Sequence, residues 1–79
     1  GWDSEHGKGW LQDNIDLCMD DEELTILFRE AGYKYNQQLE ACTCVINKAK
    51  MYESPAAADR AAERLTDRQF DELIIDCLY

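Results

Sequence analysis

Cys42 and Cys44 stand two residues apart in "ACTCVI", inside a stretch whose apolar positions recur at helical spacing. That step constrains the fold more than any other feature of the chain. Successive helical residues turn by about 100°, so the two side chains leave the axis about 200° apart and cannot readily bond to each other. Each has to find a sulfur on a different neighbour, and only Cys18 and Cys77 remain. Cys18 shares an apolar stripe with Leu11 and Ile15, and Cys77 shares one with Phe70, Leu73, Ile74 and Leu78. The two outer cysteines therefore reach a middle helix from its two sides. Spacing leaves both interhelical pairings open; the expected one joins Cys18 to Cys42 and Cys44 to Cys77.

Such bridges matter in a chain of 79 residues, since a domain of this size buries only about 60–65% of its unfolded surface. The hydrophobic fraction of 46% includes eight alanines, so large core side chains are fewer than it implies. Closing loops of about 25 and 34 residues is worth roughly 3.5 kcal/mol each, at the upper end of what disulfides deliver. Reduced thiols buried in a cytosolic core would account for the cysteines on apolar stripes. They would not account for Cys44, which sits at the edge of its arc between Glu40 and Lys48. A zinc site fits less well, because it calls for C-x₂₋₄-C pairs and the chain has one Cys-x-Cys.

The remaining pattern is helical throughout, with no period-two run long enough for a strand. Residues 1–9, "GWDSEHGKG", read as a flexible arm, followed by one domain over residues 10–79. A first helix begins near Trp10. A second opens with Asp20 as N-cap and Glu23 as its box partner, carries Leu24, Leu27, Phe28 and Ala31 inward, and stops at Gly32. The central helix, about 35–52, has Tyr35, Leu39, Cys42, Ile46 and Ala49 on its expected core stripe, and Ala41, Val45 and Tyr52 widen the apolar arc round the back. Ser54 and Pro55 start a fourth helix with Ala58, Ala61, Ala62 and Leu65 inward; Thr66 and Gln69 box the start of a fifth. The fold class is all-α, a small bundle of four to five short helices stapled by two disulfides around the central one.

Seventeen acidic against eight basic residues give a net charge of −9. Phosphate backbones and anionic lipid call for a cationic surface, so neither nucleic acid nor membrane is an expected partner, and no run of about 18 apolar residues or signal peptide is evident. A basic protein is the natural complement. Asp13, Asp16, Asp20, Asp21, Glu22 and Glu23 fall in a stretch free of Lys and Arg from Trp10 to Phe28. Part of that run has a plain role in solvating and capping helix ends; the rest forms a candidate recognition surface that steers cations. Tyr33, after the Gly32 stop, is the freer of two tyrosines at that turn and a candidate anchor, whereas Tyr35 is expected to pack.

No catalytic residue, metal or cofactor is expected. Ser4, Ser54 and His6 are the only serines and histidine, two of the three in the opening arm, and the acidic run lacks the Asp-x-Asp-x-Asp-Gly order of a calcium loop. These features together point to a non-enzymatic, acidic protein-binding domain, periplasmic or secreted, of the inhibitor or immunity-protein kind. The alternative is a cytoplasmic acidic adaptor or nucleic-acid mimic with reduced cysteines.

Overall fold

Side-chain caps set where the helices begin. The computed structural model describes all 79 residues and contains five α-helices: α1 (Glu5–Asp20), α2 (Glu22–Glu30), α3 (Tyr35–Asn47), α4 (Pro55–Ala62) and α5 (Asp67–Leu78), with a 3-10 turn at Lys48–Met51 prolonging α3. Ser54 caps α4 through a hydrogen bond from the Ala57 N–H at 3.2 Å. Thr66 and Gln69 form a two-way box at the start of α5, with bonds of 2.9 and 3.1 Å. Both starts match the sequence expectation.

Two other starts do not. Residues 1–9 were expected as a flexible arm, yet α1 begins at Glu5, five residues before Trp10. The Ser4 hydroxyl accepts from the Gly7 N–H at 3.1 Å and caps the helix. Gly7 and Gly9 each cost a helix about 1 kcal/mol relative to alanine, and that penalty is what makes the segment read as a loop. The compensation is tertiary. Residues 1–4 fold back on the first turn, and the Trp2 ring meets Trp10 edge-on at 5.3 Å while its Nε1 donates to the Tyr52 carbonyl at 2.7 Å. A Cβ at Gly7 would come within 2.7 Å of the Trp2 backbone, so the fold-back requires glycine there. The second difference is the cap of α2. Asp20 is the last residue of α1, and Asp21 is the N-cap, accepting from the Leu24 N–H at 3.0 Å.

The stop at Gly32 takes the expected form. Gly32 has φ +88°, its N–H bonds to the Arg29 carbonyl at 3.0 Å, and the Tyr33 N–H bonds back to the Phe28 carbonyl at 2.8 Å. These two bonds make a Schellman turn, whose usual apolar contact is here the Tyr33 ring edge-on to Phe28 at 5.9 Å.

α3 packs between α1 and α5, with α2 against α1 and α4 mainly against the 3-10 turn. The disulfides are Cys18–Cys42, joining α1 to α3, and Cys44–Cys77, joining α3 to α5, each with Cα atoms 5.9 Å apart. Of the two interhelical pairings that spacing leaves open, this is the expected one. The core gathers Phe28, Ala41, Val45 and Ile74, with Leu24, Phe70 and Leu73 against it.

The buried stripe of α3 is Gln38, Ala41, Cys42 and Val45. Ala41, Cys42 and Val45 lie within the expected wide arc, but its centre is turned roughly 70° about the axis from the Tyr35–Leu39–Ile46 line, at 100° per residue, and Gln38 was not expected inside. Tyr35 is 62% exposed, not packed. Gln38 explains the rotation. It is 1% exposed, and its amide donates to Thr25 Oγ1 and accepts from Arg29, both at 3.0 Å. Arg29 also donates to the Tyr33 carbonyl at 3.3 Å, and Thr25 to the Met19 carbonyl at 3.4 Å. A polar side chain thus docks α2 on α3, in a position where apolar periodicity gives no sign of burial.

Candidate functional site

On α1 the acidic residues line up. Asp13, Asp16 and Asp20 fall within an arc of about 60°, roughly opposite the inward stripe of Leu11, Ile15 and Cys18. All three are exposed, as are Asp21, Glu22 and Glu23. Leu17, 67% exposed, lies among them. Asp16 accepts from Gln12 Nε2 at 2.9 Å, and none of the six is in an ion pair: the one salt bridge is Arg68–Glu72 at 4.0 Å on α5. Their charge is uncompensated by the protein itself.

The six divide by role. The Asp21 carboxylate serves the backbone as a cap, and Glu22 and Glu23 occupy the first turn of α2, where the helix dipole favours anions. Asp13, Asp16 and Asp20 have no such local purpose. Only the single residue Asp21 separates α1 from α2, so the row on α1 runs into the carboxylates of the α2 start.

Tyr33 belongs to a different feature. It is partly buried, held by the Schellman turn, and contributes to a groove between α2 and α5 of about 240 Å³. Phe28, Ile74 and Leu24 line the groove with it, and Leu27, Ala31, Ile75 and Asp71 complete the wall. Leu27 is 56% and Ile75 51% exposed. Glu23 and Glu30 stand four before and three after Leu27 on one stripe of α2, and Asp71 stands four before Ile75 on α5. An apolar slot edged by carboxylates results. Glu23 links it to the acidic corner.

Sequence reasoning placed Leu27 and Ala31 in the core and passed over Ile75. The available signal was that Ile75 is a large apolar residue off the α5 stripe. Leu27 gave no such signal, because its exposure depends on how far α5 stands from α2. Elsewhere, Ser4 and Ser54 both act as caps and all four thiols are bonded. His, Cys, Asp and Glu side chains nowhere gather in threes at metal-binding distance, and no helix is long and apolar enough to cross a membrane. Chemically, the surface offers apolar contact ringed by anions. No protein-family model, curated protein or solved structure matches the chain.

Proposed function

We propose that this protein is a non-enzymatic, acidic protein-binding domain of the exported or periplasmic type, acting on a basic protein partner as an inhibitor or immunity-like protein. The observation that carries this reading is the α2/α5 slot, where Leu27 and Ile75 stand exposed beside carboxylates that no cation of the protein pairs. An amphipathic segment with Lys or Arg along the edges of its apolar face complements that arrangement. The apolar contact would supply residence time, and the α1 carboxylates would steer encounter. The two disulfides favour an oxidising compartment, which weighs against the alternative of a cytosolic adaptor with reduced cysteines.

The test uses the wild-type domain as bait beside Leu27→Asp and the triple variant Asp13→Asn, Asp16→Asn, Asp20→Asn. A basic partner captured by wild type should be lost or weakened at least tenfold by Leu27→Asp. The triple variant should slow its association several-fold at low salt, flatten the salt dependence and leave dissociation nearly unchanged, because rim charges act on encounter. Capture unaffected by both sets of changes would refute the assignment of this face.

A further inference from the structure

α4 leaves a cleft of about 640 Å³ between itself and α3, the 3-10 turn and α5. That volume lies within the 300–1,000 Å³ typical of pockets for drug-sized ligands. Its origin is compositional: Ala58, Ala61 and Ala62 line it from α4, and methyl groups do not reach far enough to fill the space facing Val45, Ile46 and Leu73. α4 packs mainly on the 3-10 turn and is tied to α1 by a hydrogen bond from Trp10 Nε1 to Asp59 Oδ1 at 2.9 Å. The cleft is thus spanned by a short helix with a single side-chain bond across it to α1.

The lining selects a ligand. Three aromatic residues, Trp10, Tyr52 and Phe70, contribute to the walls, and aromatic faces attract organic cations. Two carboxylates, Asp59 and Asp67, share the lining with one ammonium, that of Lys48. Lys48 is the C-cap of α3, a helix end that favours a cation in its own right. Asp59 Oδ1 is engaged by Trp10, which leaves its second oxygen as an acceptor. The whole chain carries −9, which disfavours an anionic amphiphile at the same place.

We infer that this cleft is a binding site for a hydrophobic organic cation, an alkyl or aryl ammonium whose apolar body lies along the alanine face of α4 and whose charge sits by Asp59 and the aromatic rings. The site is separate from the α2/α5 slot and uses none of its residues.

The test is calorimetric titration of the intact, oxidised protein with decyltrimethylammonium and, separately, decanoate, both below their micelle concentrations. The expected result is one cation per chain, bound at least tenfold more tightly than the anion. The methyl resonances of Ala58, Ala61 and Ala62 should shift in wild-type protein on titration. Asp59→Asn, which keeps an oxygen for Trp10, should weaken the cation several-fold. Ala61→Leu, with helicity checked by circular dichroism, should fill the cleft and abolish binding. Equal affinity for the two amphiphiles, several cations per chain without a saturable first site, or unmoved alanine methyls would each overturn the inference.

Discussion

Gln38 joins three segments through one amide: it meets Thr25 and Arg29 of α2 directly, and through Thr25 the end of α1. Replacing it with leucine keeps the volume but leaves the Arg29 and Thr25 groups without their buried partner. A loss of about 1–3 kcal/mol follows, read as a lower urea midpoint at unchanged slope. A midpoint equal to wild type would show that water replaces the amide at no cost. The α2 cap allows a sharper contrast. Asp21→Ala should cost about 1 kcal/mol, whereas Asp20→Ala, at an exposed α1 end, should stay within about 0.5 kcal/mol. The reverse order would restore the cap to the residue the sequence pattern favoured. Asp20 has a Glu three positions on whereas Asp21 has Leu24 there, so the box pattern favours Asp20. The choice depends on α1 continuing through Asp20, a fact of tertiary packing.

Among the helices, legibility followed the strength of local chemistry. The starts of α4 and α5 were readable to the residue because Ser54–Pro55 and Thr66–Gln69 are strong start signals, whereas α4 stops at Ala62, and Ala62 and Leu65, expected inward, are exposed. That Cys42 and Cys44 go to different helices was readable, because rotation per residue is a property of the helix and not of its neighbours; which outer cysteine each takes was not, since it depends on how α1 and α5 pack on α3. The start of α1 was hidden by Gly7 and Gly9, and the facing of α3 by Gln38, since in each case a contact distant in sequence decides the outcome. The groove was legible only in part, because the exposure of Leu27 and Ile75 depends on the gap between two helices. The two staples also differ in setting: Cys18 and Cys42 are buried, while Cys44 is exposed and Cys77 partly so. Replacing Cys44 and Cys77 with alanine should remove mainly the loop constraint, about 3.5 kcal/mol at most. Replacing Cys18 and Cys42 should cost more, because core packing is lost as well. Urea titration of both double variants would measure the order, and equal costs would mean that burial of the first pair adds nothing.

At the scale of the whole molecule, the helices are short and the buried set is small, 11 of 79 residues, so the frame that presents the acidic row, the α2/α5 slot and the α4 cleft depends on covalent closure. Net charge of −9 adds self-repulsion that the bridges must also withstand. Both proposed surfaces, and the exported setting, rest on the cysteines being oxidised in the protein as it is made. Intact mass of freshly purified, unreduced protein, alkylated after denaturation, tests this most directly. The expected result is no added label, four labels once the same sample is reduced first, and a markedly lower melting midpoint in reductant. Four labels on the denatured, unreduced chain would contradict the stapled frame and move the protein to a reducing compartment.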